Sequence, residues 1–163
     1  MRFRLIDRVV EFQPGASITA VKRLSPDEEY LQDHFPRFPV MPGVLMLETM
    51  YQASAWLVRI SDEFAHSQIL LKEARNIKYA GFVEPGQTLV IKAEIMRHET
   101  DTTTLKAQGT VNDRVAVSGR LVLERFNLSE RVPTRAAADA YGINVLRREW
   151  EALWQPAVAA ESV

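Results

Sequence analysis

The sequence predicts an α+β domain in which an antiparallel β-sheet of five or six strands wraps one long buried helix, with a helical tail behind it. Three observations carry this reading. Strand-length runs rich in Val, Ile, Thr and Leu lie on both sides of one long apolar segment, Val44 to Ile60. That segment is apolar around most of its circumference, the mark of a buried helix. Turn-like residues punctuate the β runs.

The elements follow in order. Leu5–Phe12 and Ser17–Leu24 form a hairpin about Gln13-Pro14-Gly15-Ala16, and Ser25–Glu29 reads as a cap and turn. From His34 to Gly43 the chain carries Pro36, Pro39 and Pro42. Each locks φ, removes a donor and pushes its predecessor toward extended geometry, so the segment is a stiff loop that holds its side chains in place. A helix of about five turns runs from Gly43 through Ile60, and Ser61-Asp62-Glu63 ends it. Ile69–Tyr79, Gln87–Arg97, Thr102–Val111 and Arg114–Phe126 are strands. Between them lie turns at Val83–Gly86, His98–Asp101 and Asn112-Asp113, the last a tight hairpin connection. Composition then shifts, dividing the chain into a domain at 1–128 and a helical extension at 129–163. Thr134–Trp154 is one helix, or two broken near Gly142, whose apolar face (Val145, Leu146, Trp150, Leu153, Trp154) needs something to cover. Gln155–Val163 reads as frayed.

Charge and cysteine usage exclude several function classes. Lys and Arg total 20 against 21 Asp and Glu, which removes the broad attraction that nucleic-acid-binding domains rely on. With no cysteine there is no disulfide, thiolate catalyst or Cys-ligated metal centre. His34, His66 and His98 are too scattered for a metal motif, so neither a metal nor a cofactor is expected. No apolar signal region follows Met1. The Val44–Ile60 run carries Glu48, Gln52 and Arg59 and falls short of a membrane span. The expectation is a soluble cytoplasmic protein.

Three positions could carry chemistry. Glu48, in the second turn of the long helix, would lose hydration in an apolar setting, which favours the protonated, proton-donating form. Gln52, one turn on, can hydrogen-bond its carboxyl and fix the rotamer. His34 opens the proline-locked loop, and an imidazole titrates near ~6.5 when unperturbed, within reach of a general base at neutral pH. Pro42-Gly43 marks the helix start, where free N–H groups and a partial positive charge can stabilise a thioester oxygen that gains charge. Each has an ordinary alternative: a structural ion pair, a surface histidine, turn punctuation. Together they form a complete base, acid and oxyanion set for an α,β-elimination.

The stretch His34-Phe35-Pro36-x-x-Pro39-Val40-Met41-Pro42-Gly43-Val44-Leu45-x-x-Glu48-x-x-x-Gln52 resembles the signature of the 3-hydroxyacyl-acyl-carrier-protein dehydratases of the FabZ/FabA type. The likeness extends through Phe3–Val9, Ala74–Tyr79 and Val83–Leu89, roughly residues 3–127 in all. It implies the hotdog fold and a dehydration in which His34 removes the C2 proton of a (3R)-hydroxyacyl thioester. Glu48 then protonates the departing hydroxyl, Gly43 N–H binds the thioester carbonyl, and Gln52 orients Glu48. Phe35 and Tyr51 fall among the substrate-binding positions. The resemblance also implies an acyl carrier protein with a phosphopantetheine-linked chain as partner, and a homodimer with shared active sites, as a trimer of dimers in many members. Glutamate at 48 matches the FabZ branch, which dehydrates without isomerising.

The chain departs from the family pattern in four ways. Arg37 stands where glycine is usual, and Tyr51 where a small residue is common. A short segment before the first strand is missing, and the tail lies outside the likeness. Arg37, Arg75, Lys78 and Arg97 could form a carrier-protein docking patch, or be ordinary surface charge. Two other readings keep the fold: a thioesterase in which His34 or Glu48 activates water, and a non-catalytic acyl-binding subunit.

Overall fold

The computed structural model describes residues 3–156. Strands β1 (Arg8–Gln13) and β2 (Ser17–Arg23) pair antiparallel across the Pro14-Gly15 turn. Gly15 sits there at φ +70°, a conformation that suits glycine. After one 3₁₀ turn (Glu29–Leu31) and the proline loop comes helix α1 (Gly43–Ser61). Four strands follow: β3 (Gln68–Tyr79), β4 (Thr88–His98), β5 (Thr102–Val111) and β6 (Arg114–Phe126). All six join one antiparallel sheet in the order β1-β2-β4-β5-β6-β3.

The core follows from the period-two pattern of these strands. Ile18 and Ala20 of β2, Leu89 and Ile91 of β4, Leu105 of β5 and Leu121 and Leu123 of β6 all point to one face, where they meet Met50, Ala53 and Leu57 of α1. Each large aliphatic side chain buried there contributes roughly 1.5–3 kcal/mol. Asn112 and Asp113 adopt φ +49° and +62° and close β5 onto β6 as a two-residue turn.

Element ends match the sequence reading to within a residue at most places, and the exceptions have causes. β1 begins at Arg8, not Leu5, because the Leu5 N–H donates to the Gln52 side chain at 2.8 Å instead of joining a strand ladder. Helix α1 is enclosed only in part. Residues 53–59 are buried, but Val44 is 69% exposed and Glu48, Tyr51 and Gln52 are half-buried.

After β6, a short helix α2 (Leu128–Arg131) leads into α3 (Ala136–Leu153), which lies on the α1 side of the sheet. α3 is a single helix. Gly142 causes no break, standing inside it with open space around its Cα. α3 lays an aromatic ladder against the domain: Trp150 packs on Phe12 (5.4 Å between centroids) and on Trp56 (6.0 Å), and stacks on Trp154 (5.7 Å). Its start is fixed by Asp139, which is buried and accepts from the Ser67 hydroxyl and from the Leu128 and Ser129 N–H groups at 2.8 and 2.9 Å. Of the end expected to fray, Gln155–Val163, the first residue is held to β1, and 157–163 fall outside the described residues. Trp154 bridges to Val9 in parallel, and the Gln155 N–H donates to the Val9 carbonyl at 3.0 Å. No helix among the described residues is long and apolar enough to cross a membrane.

Candidate active site

Glu48 and Gln52 lie one turn apart on the side of α1 that faces away from the sheet. Gln52 Nε2 donates to Glu48 Oε1 at 2.9 Å and to the Phe3 carbonyl at 3.2 Å, while Gln52 Oε1 accepts from Leu5 N–H at 2.8 Å. The amide is therefore fixed end for end: its acceptor is taken by backbone, so its donor must face the carboxyl. Tyr51 beside them donates its hydroxyl to the Ile69 carbonyl at 2.7 Å, which ties the aromatic ring to the start of β3. Burial pushes the Tyr51 phenol up from its ordinary value, Arg59 opposes that, and Glu48 adds to it.

These residues open onto a cavity of about 480 Å³ along α1. Glu48, Tyr51, Gln52, Trp56 and Arg59 form its floor, Phe3 and Arg4 one wall, and Val145 and Glu149 of α3 the other. The sequence reading missed Trp56, Arg59, Val145 and Glu149. Spacing from Glu48 could have found Arg59, since positions 48, 52, 55 and 59 share one helix face.

The His34 loop sits elsewhere on the chain, and His34 is not among the residues lining that cavity. His34 N–H donates to the Tyr30 carbonyl at 3.2 Å, and its half-buried ring meets the Phe35 ring at 4.6 Å, edge to face. The left-handed residue of the loop is Phe35, at φ +49°, and not Arg37. The loop therefore accepts Arg37 without positive-φ strain, and its side chain is exposed. Pro42 caps α1, so the Gly43 N–H is one of the free donors of the first turn. A Cβ at Gly43 would stand 3.1 Å from the Tyr79 ring, so a larger residue at the helix start would require that ring to shift by a few tenths of an ångström. Phe35, Phe38, Val44, Tyr79 and Phe82 are all exposed, and Phe38 meets Phe82 edge to face at 5.6 Å. The result is an aromatic, open surface around the helix N-terminus.

The docking candidates are on the surface too. Arg75 pairs with Glu73 at 2.5 Å and Arg97 with Glu99 at 3.7 Å, while Lys78 is exposed near the end of β3. Among the described residues, no group of three or more His, Cys, Asp or Glu is gathered to hold a metal ion.

Comparison with known proteins gives this arrangement a family. A profile described as the FabA-like domain matches residues 1–120. The 3-hydroxyacyl-[acyl-carrier-protein] dehydratase FabZ of Ruminiclostridium cellulolyticum is 34% identical over 119 residues, 73% of this chain and 84% of the relative. That of Lawsonia intracellularis is 38% identical over 128 residues, 77% and 84% of the two chains. Among solved structures, the dehydratase heterocomplex ApeI:P of Xenorhabdus doucetiae superposes with a TM-score of 0.65 at 19% identity, over 82% of this chain and 90% of that one. A Streptococcus mutans protein bound to acetyl CoA superposes at 0.60 with 17% identity, over 77% and 91%. These two share the hotdog fold with this protein. By sequence, the chain belongs to the FabA-like family, among its FabZ-type dehydratases.

Proposed function

We propose that the protein dehydrates (3R)-hydroxyacyl thioesters of acyl carrier protein to trans-2-enoyl thioesters and water, in fatty-acid or related biosynthesis in the cytoplasm. The observation that carries the reading is the Glu48–Gln52 pair on the cavity floor, together with a glycine-started helix and a proline-locked histidine loop.

The thioester carbonyl accepts from Gly43 N–H at the positive end of α1, which acidifies C2. His34 takes the C2 proton, and the electron pair moves toward the carbonyl oxygen. As the enolate collapses, the C2–C3 double bond forms and the C3–O bond breaks. The protonated Glu48 gives its proton to the leaving hydroxyl, which departs as water. Gln52, unable to turn over, keeps one carboxyl oxygen occupied and leaves the other for the substrate.

Within one chain His34 does not line the cavity that holds Glu48. Each active site is then assembled from two chains, with the aromatic surface around Gly43 as the contact between them. Exposed apolar patches of this kind mark association surfaces. A phosphopantetheine arm reaches the helix start past this surface, and Arg37 and Lys78 offer charge for an acidic carrier protein.

The test is mass spectrometry of a short 3-hydroxyacyl-carrier-protein thioester incubated with the protein. Loss of one water from the intact thioester is expected. A freed carrier thiol would indicate thioester hydrolysis, and an unchanged substrate with the folded protein would leave only a binding role. Glu48→Gln and His34→Ala should each abolish turnover. Mixing the two inactive variants should restore roughly a quarter of wild-type activity if sites are shared across a two-fold dimer. No recovery would place both groups in one chain.

A further inference from the structure

The cavity floor contains a charge that dehydration does not use. Arg59 lies on the same face of α1 as Glu48, eleven residues on, which is about 16 Å along the helix. It is only 9% exposed, and its Nε is buried without a hydrogen-bond partner. Its guanidinium stands 5.2 Å from the Trp56 ring, a contact that positions it without supplying an acceptor for Nε. The nearest carboxylate, on Glu149, is paired with Arg4 at 3.1 Å. Burial lowers the Arg59 guanidinium to about 10, against the smaller opposing pull of Tyr51 and Glu149. A buried cation left in this state is expensive for the fold unless something arrives to meet it. The cavity that reaches it begins at the proposed proton donor, and α3 supplies its outer wall through Val145 and Glu149.

We propose that Arg59 reads the distal end of the acyl chain, so that this cavity takes 3-hydroxyacyl thioesters ending in a carboxylate in preference to those ending in a methyl group. The inference rests on the dehydratase reading above: with C3 at Glu48, an extended chain running along α1 brings its far end to Arg59. A carboxylate fits the planar fork of a guanidinium with two charge-assisted hydrogen bonds, whereas a methyl end would bury the cation unmet. Tyr51 and Trp56 on the floor and Phe3 on one wall give the chain an aromatic lining between the two polar ends.

The experiment compares two long-chain 3-hydroxyacyl-carrier-protein thioesters of equal length, extending about twelve carbons beyond C3 to span the ~16 Å to Arg59, one ending in a carboxylate and one in a methyl group. For the wild-type protein we expect kcat/KM to favour the carboxylate by tenfold or more, the scale of a charge-assisted pair. In Arg59→Met this ratio should fall at least tenfold, and in Arg59→Lys, which keeps the charge but not the fork, it should be intermediate. A wild-type preference for the methyl end, or a ratio that Arg59→Met leaves unaltered, overturns the proposal. If Arg59→Met fails to fold, the wild-type ratio and Arg59→Lys decide. A 3-hydroxybutyryl thioester, too short to reach Arg59, separates the two hypotheses. If it is not dehydrated, the dehydratase reading fails, and Arg59 is judged by calorimetric binding of saturated acyl-carrier proteins with the two chain ends. Equal affinities there would overturn the proposal.

Discussion

Gln52 holds Glu48 from a position in which it cannot turn over: its Oε1 is bound to Leu5 N–H at 2.8 Å, and its Nε2 donates to Glu48 Oε1 at 2.9 Å. The N-terminal segment therefore sets the orientation of a carboxyl more than forty residues away through one amide. Gln52→Ala should lower kcat about 10- to 100-fold, the scale of losing a hydrogen bond that orients a reacting group, while KM changes little. Steady-state kinetics on a short thioester reads the split. A rise in KM with unchanged kcat would mean that Gln52 binds substrate instead of positioning Glu48.

The packing of Tyr79 over Gly43 predicts a coupling. Gly43 is not in the left-handed region, so alanine there meets no backbone strain, only the ring at 3.1 Å. Gly43→Ala should cost on the order of 1 kcal/mol through this overpacking, and Tyr79→Leu in the same chain should recover most of it. Urea unfolding of the two single variants and the double variant measures the interaction. Additive effects would show that the ring gives way freely.

Arg125 holds the end of α1 to the β4–β5 turn. It donates to Asp62 at 2.6 Å, to His98 Nε2 at 2.5 Å, and to the carbonyls of Glu99 and Thr100, and its side chain is 3% exposed. Removing it takes the guanidinium from the Asp62 carboxylate, which keeps only His98 at 3.1 Å and His66 at 3.5 Å beside it, and takes a donor from two carbonyls. Arg125→Ala should destabilise the protein by about 3–5 kcal/mol, lowering Tm by roughly 10 °C for a chain of this size. Differential scanning calorimetry checks this.

Asp139 should make the attachment of α3 sensitive to acid. Burial works against its ionisation, but the Ser67 hydroxyl and the Ser129 and Leu128 N–H groups outweigh that and hold the carboxyl down at about 2, from 3.8. Because the folded value lies below the unfolded one, the stabilisation is complete above the unfolded value and is lost as pH falls from 3.8 toward about 2. Hydrogen exchange of α3 should accelerate across this window in the wild-type protein. In Asp139→Asn it should be fast already at neutral pH and show no such step.

Much of this was legible in the residues themselves. Three prolines between His34 and Gly43 required a loop, Asn112-Asp113 required a tight turn, and the four-residue spacing of Glu48 and Gln52 put them on one face. What stayed hidden depends on contacts between distant segments. That Leu5 caps Gln52, that Asp139 collects Ser67 and two backbone amides, and that Val145 and Glu149 wall a cavity begun by Glu48 are all properties of docking, on which local periodicity is silent. Helix α1 was read as wholly buried because its apolar residues run all the way round. In one chain its first two turns are covered on the side of Met46, Thr49 and Met50 but leave Val44 exposed, and that apolar surface is where a second chain is proposed to sit.

The bridge from Trp154 to Val9 has a consequence for growth of the sheet. Of the two outer strands, β1 is short and has the C-terminal residues laid against it, whereas β3 offers a twelve-residue border with its outward backbone groups unpaired within the sheet. A sheet with two open borders can lengthen without limit, as cross-β aggregates do. One with a single open border can be extended only once, like against like, after which both outer sides of the product are already blocked. Trp154 and Gln155 cover β1 at Val9 alone, so they narrow that border: a chain cut before Trp154 should expose the whole outer edge of β1 and aggregate more readily.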